Sequence, residues 1–100
     1  MAESSKALMQ VNIVAADRPV WHGTAKSVTI PASEGEMGIL ADHEPVLTVI
    51  KGGTVSVVDP AGERHAFEVS DGFISFDFNK LTVAVERGRD VVRTEGPGIE

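Results

Sequence analysis

The chain has 100 residues, which allows one domain and no more. Apolar residues make up 42%, enough for a modest core, and nine Lys and Arg against 15 Asp and Glu leave a formal net charge of -6. That sign argues against a general binder of nucleic-acid backbone, and the lack of cysteine removes disulfides, thiol catalysis and thiolate zinc sites.

No apolar run approaches the roughly 20 residues of a membrane-spanning helix. The start of the chain has an acid and no long apolar stretch, so it does not read as a secretory signal. A small acidic domain working inside a cell is the expectation. Its composition favours strands, with 14 Val, 6 Ile and 6 Thr against 4 Leu, because β-branched side chains pack well on a pleated surface.

Residues 1–7 are small and polar and are expected to fray. From Met9 to Ala15 apolar and polar residues alternate as in a half-buried strand, ended by Asp17-Arg18-Pro19. Val20 and Trp21 resume the strand, and His22-Gly23 marks a bend or bulge. Alternation returns from Thr24 to Ile30, with a phase slip near Lys26-Ser27, and Pro31 closes it. The least regular stretch runs from Ala32 to Pro45. It contains a short edge strand from Glu34 to Ile39 and a turn at Asp42-His43-Glu44-Pro45.

Further strands are expected from Val46 to Lys51, Thr54 to Asp59, Ala66 to Ser70, Gly72 to Phe78 and Leu81 to Glu86. Pro60-Ala61-Gly62 and the tighter Asp77-Phe78-Asn79-Lys80 are hairpin signals. Short strands at this spacing predict an all-β sandwich or closed barrel over residues 8–87. The expected core is Val11, Ile13, Val28, Ile30, Leu47, Val49, Val55, Val57, Phe67, Val69, Ile74, Phe76, Leu81, Val83 and Val85. Beyond Glu86 the alternation stops, and residues 88–100 are expected to be a disordered tail.

Little of the chain suggests chemistry. His22, His43 and His65 lack the spacing of a metal site, and the acids around His43 match no calcium loop. The glycines form no phosphate-cradling motif. No catalytic, metal or cofactor residue is therefore expected. Trp21 is either a core plug or part of a contact surface. The apolar run Met37-Gly38-Ile39-Leu40, set among acids, has the look of a protein contact, which places an interface around residues 32–46.

The same stretch carries a family pattern. It includes Val11-Asn12-Ile13-Val14, Asp17-Arg18-Pro19-Val20-Trp21-His22-Gly23 and Ser33-Glu34-Gly35-Glu36-Met37-Gly38-Ile39-Leu40. His43-x-Pro45, Lys51-x-Gly53, Val69-Ser70-x-Gly72-Phe73 and Leu81-Thr82-Val83-x-Val85-Glu86 complete it. In these residues the chain resembles the N-terminal domain family of the epsilon subunits of proton-translocating ATP synthases. The resemblance implies a ten-stranded β-sandwich in the central stalk. Such a domain has no catalytic residue and joins the rotating gamma subunit to the ring of membrane c subunits, so that proton flow is coupled to ATP synthesis.

It also implies a peripheral place on the cytoplasmic side of the bacterial cell membrane. Carried onto this sequence, Glu36 matches the acid that faces the c ring, and His43 matches the histidine at the gamma contact. Met37, Gly38 and Ile39 fit a packed hinge between them. Asp42 and Asp71 stand where the family often has glycine, so a positive φ there would carry some cost. Family members commonly add a regulatory C-terminal helical hairpin, and the 14 residues after Glu86 are too few to form it. A free-standing sandwich binding another partner is the competing reading. A small β enzyme is a third, weakened by the scattered histidines.

Overall fold

The computed structural model describes residues 7–32 and 34–91. Ten strands run through them: β1 Met9–Ala15, β2 Arg18–Ala25, β3 Ser27–Ala32, β4 Gly35–Leu40, β5 Val46–Ile50, β6 Gly53–Val58, β7 Arg64–Val69, β8 Gly72–Asp77, β9 Lys80–Val85 and β10 Gly88–Asp90. In one layer the order is β4-β3-β6-β7-β10, and in the other β5-β8-β9-β1-β2.

The layers are joined through β3. One flank of β3 pairs with β4 throughout. On the other flank Ser27, Val28 and Thr29 pair with β6, whereas Ala32 at the far end pairs with Ile50 of β5. At the opposite margin β10 lies against β2, where a Cβ added at Gly88 would be 3.5 Å from Val20 Cγ2. The ten strands therefore form a nearly closed sandwich. Every pairing is antiparallel except that of β1 with β9.

The core follows the period of two. Val11 and Ile13, Val55 and Val57, Phe67 and Val69, Ile74 and Phe76, and Leu81, Val83 and Val85 all point between the layers. Met9, Ala25, Val28, Ile30, Ile39 and Ile50 complete it, and no described polar or charged side chain is buried. Each large apolar side chain so buried is worth about 1.5–3 kcal/mol, so this core is the main source of stability.

Several expectations change. Leu47 and Val49 are 74% and 60% exposed, because β5 turns Ile50 inward and these two outward. β2 runs unbroken through His22-Gly23, and the bend falls at Lys26. The bulge is at Val20, where the register steps from Ile13↔Trp21 to Val14↔Pro19. Pro31 lies inside β3, and its carbonyl accepts the Lys51 N–H at 2.9 Å. The predicted frayed start and tail fall largely outside the described residues. Where they overlap, residues 88–90 form β10, because the edge of β7 recruits them.

Trp21 is a core plug. Its ring centroid is 5.5 Å from that of Phe67 and 5.6 Å from that of His65, both on β7 of the opposite layer. The indole lies back over Gly23 of its own strand, where a Cβ would come within 2.8 Å of the ring. Gly23 thus makes room for the ring that closes this side of the sandwich. Gly23→Ala is expected to cost about 1–3 kcal/mol through overpacking. Denaturant unfolding followed by Trp21 emission checks this, and an unchanged midpoint would refute the packing argument.

Candidate docking surface

The outer face of the β5-β8-β9-β1-β2 layer carries an apolar row. Register sets Val49 opposite Phe73, Phe73 opposite Ala84, Ala84 opposite Val14, and Val14 opposite Pro19, one residue from each strand. Phe73 is 49% exposed, and Leu47 stands beside this row, opposite Ser75. Directly opposed apolar pairs stabilise the sheet only modestly. A row in which Val49, Phe73 and Pro19 are exposed and Ala84 and Val14 half-buried is more telling as a contact surface, because most apolar groups exposed on a monomer are scattered. Sequence reading missed this surface. Its only sign was that β5, Val-Leu-Thr-Val-Ile, is apolar in both phases of the alternation.

His43 sits at one end of the sandwich, in the loop between β4 and β5. Its backbone N–H donates to the Leu40 carbonyl at 3.1 Å, and its Nδ1 lies 2.7 Å from the Glu44 carbonyl. With Nδ1 as donor, Nε2 of the neutral ring remains available as an acceptor. The ring meets buried Phe76 edge-on at 6.0 Å. Asp42 has φ of 68°, in the left-handed region that disfavours side chains. Asn79 compensates for it. The Asp42 N–H donates to Asn79 Oδ1 at 2.6 Å, and Asn79 Nδ2 donates to Asp42 Oδ1 at 2.9 Å. Asp71, by contrast, has no positive φ; its Oδ1 accepts the Gly52 N–H at 2.7 Å.

Glu36 lies at the other end of β4, exposed and opposite Pro31 of β3. The structure therefore does not bring Glu36 and His43 together. Most of β4 separates them, at about 3.3 Å per residue. Between them Met37 is half-buried against the core, Gly38 is exposed and Ile39 is fully buried, and each pairs with a residue of β3.

Among the described residues one group offers metal-ligating atoms: Asp59, Glu63 and His65, around the β6–β7 turn. Its geometry is that of a hairpin staple. Asp59 Oδ1 accepts the N–H groups of Ala61 and Glu63, both at 2.9 Å, and Oδ2 pairs with His65 Nε2 at 2.9 Å. The hydrogen bond from His65, then that from the Glu63 backbone, lowers the Asp59 pKa below its usual 3.8. No helix of the described residues is long and apolar enough to cross a membrane.

Comparison with known proteins agrees with this architecture. Residues 8–90 match the beta-sandwich domain of the ATP synthase delta/epsilon chain. The chain belongs to that family. Similar family members include the ATP synthase epsilon chain of Rhodococcus erythropolis, 42% identical over 79 residues, covering 78% of this chain and 65% of that protein. The epsilon chain of Streptomyces avermitilis is 40% identical, covering 78% of this chain and 63% of that protein. The chain thus spans just under two thirds of the length of these relatives.

Among solved structures, a chain of the Euglena gracilis mitochondrial ATP synthase superposes with a TM-score of 0.79 at 22% identity, over 84% of this chain and 54% of that one. A chain from the central stalk and c-ring of the Tetrahymena thermophila enzyme gives 0.69 at 15% identity, over 82% and 66%. At these identities the likeness is one of fold.

The staple makes the domain acid-sensitive in a defined direction. A carboxyl whose folded pKa is depressed adds stability that is complete above the unfolded value near 3.8 and is lost as pH falls through the lower folded value. In thermal unfolding followed across the acid range, the wild-type midpoint should drop below pH 3.8 more steeply than that of Asp59→Asn. Parallel curves would show that the staple contributes nothing.

Proposed function

We propose that this sandwich is a non-catalytic rotor element of the central stalk of a proton-transporting ATP synthase. It docks on the gamma subunit through the outer face of Leu47, Val49 and Phe73, with His43 at the margin of that contact. It presents Glu36, at the opposite end of β4, to the polar loops of the c ring. The observation that carries the reading is the apolar row on a face that the fold leaves uncovered, in a chain whose sandwich belongs to the delta/epsilon family.

The chemistry suits the role. An apolar sheet face supplies affinity by leaving water, whereas exposed charges at the edge set orientation and association rate. Met37, Gly38 and Ile39 tie the two ends together as a paired, partly buried span instead of a loose connector. Such a domain needs no cofactor and no catalytic site of its own. It would reach the membrane only through its partners, as a peripheral subunit on the cytoplasmic side of the bacterial cell membrane.

Two substitutions test the two contacts. Glu36→Lys should weaken docking on the c ring and proton-coupled ATP synthesis while changing stability by no more than about 0.5 kcal/mol, as an exposed charge reversal usually does. Its defect should fade with added salt, because exposed charges are screened beyond about 10 Å at 0.1 M. His43→Ala should weaken gamma binding almost independently of salt, since what it removes is packing against Phe76 and the partner. Reconstituted complexes of both variants, measured for subunit content and proton pumping, decide the matter. Wild-type behaviour from both would remove these residues from the contacts.

A further inference from the structure

The β8–β9 turn contains an unusual residue. Phe78 is 90% exposed and has φ of 48°, in the left-handed region that disfavours bulky side chains. Asn79 follows with φ of 57°, so the two residues form the tight hairpin turn that asparagine and glycine normally fill. Among the described residues the strained aromatic has no aromatic packing partner, and it stays 90% exposed. The backbone of the turn is nevertheless fixed beside it. Asn79 is bound through both side-chain atoms to Asp42, and its carbonyl accepts the Gln10 N–H at 2.8 Å.

An exposed ring carried on a fixed turn suits an anchor, because the backbone beneath it loses little conformational freedom when the ring enters a pocket. Leu40, 61% exposed, lies two residues before Asp42, and Leu8, 38% exposed, lies two residues before Gln10, whose N–H binds the Asn79 carbonyl. Asp42, bound to Asn79, Glu44 of the same loop and Asp77 at the end of β8 give this end three acids against Lys80. β8 carries both Phe73 of the outer face and, at its end, the turn with Phe78.

We propose that Phe78 is an anchor residue whose ring enters an apolar slot edged by Lys or Arg side chains on a partner protein. It extends the docking face of Leu47, Val49 and Phe73 around the His43 end. The identity of that partner as the gamma subunit rests on the function proposed above; the anchor itself rests on the strain, exposure and fixation of the turn. Left-handed backbone is relieved by glycine or asparagine, so phenylalanine here is costly to the fold, and the proposed contact is what offsets that cost.

The test measures two quantities that should move in opposite directions. Thermal unfolding and calorimetric binding to purified gamma subunit are compared for wild type, Phe78→Gly, Phe78→Asn and Leu47→Asp. Phe78→Gly and Phe78→Asn should unfold at higher temperature than wild type, yet bind gamma about tenfold or more weakly. If they bind as wild type while Leu47→Asp does not, the anchor is overturned and the outer-face docking stands. If they alone lose binding, the anchor stands and the outer face is wrong. Normal binding by all of them overturns both. Lower stability in both Phe78 variants would show that the turn is not strained and would also overturn the proposal.

Discussion

One strand belongs to two layers, and the rest of the sandwich is arranged around that fact. β3 is hydrogen-bonded to β4 along its whole length, to β6 over its first half and to β5 at its last residue. A strand shared in this way fixes the offset and angle between the layers without relying on side-chain packing alone. Its last turn of the corner occurs next to Pro31, which lacks an N–H and so leaves that ladder position free, while its carbonyl binds Lys51. Because β4 is the edge partner of β3, the two ends of β4 inherit the same rigidity. Glu36 and His43 are therefore held at a fixed separation by backbone hydrogen bonds. The proposed role, passing torque from one partner to another, would need that kind of stiffness.

Much of this was legible from alternation, because a period of two names the buried face wherever the opposite face is polar. Val11 and Ile13, or Val55 and Val57, leave no ambiguity. β5 does, since Val46, Leu47, Val49 and Ile50 offer apolar residues in both phases, and a shift of one position exchanges inside for outside. The pairing that settles it, Ala32 with Ile50, joins residues far apart in sequence and has no local signal. β10 was invisible for a related reason. Gly88-Arg89-Asp90 has no strand character of its own and is ordered by the free edge of β7, helped by the 2.8 Å ion pair of Arg89 with Glu68.

The candidate site was legible only in part. The family pattern named Glu36 and His43, but neither residue type nor spacing revealed that β4 would hold them at opposite ends. The sequence also hid the apolar outer face, since apolar residues there look like core in a one-dimensional reading. Asp42 shows the opposite case. A left-handed backbone there was only a conditional of the sequence reading, and the compensating partner, Asn79, is 37 residues away and becomes visible only in three dimensions. Such reciprocal side-chain bonds let a non-glycine residue occupy a glycine position without loosening the loop beside it.

The lone parallel pairing has a consequence for how the chain is made. β1 is the first strand, yet its inner neighbour is β9, with Gln10 beside Lys80 and Ala15 beside Val85. During synthesis the β1–β2 hairpin can form early, but its layer cannot be completed until residues 80–85 have left the ribosome. Until then the buried faces of Met9, Val11 and Ile13 have no permanent cover. Contacts this distant along the chain also carry a large loop-closure cost, which slows the final step of folding. The sandwich therefore matures after translation of nearly all its strands, and its nascent form is the stage at which chaperones or early binding to a partner matter most.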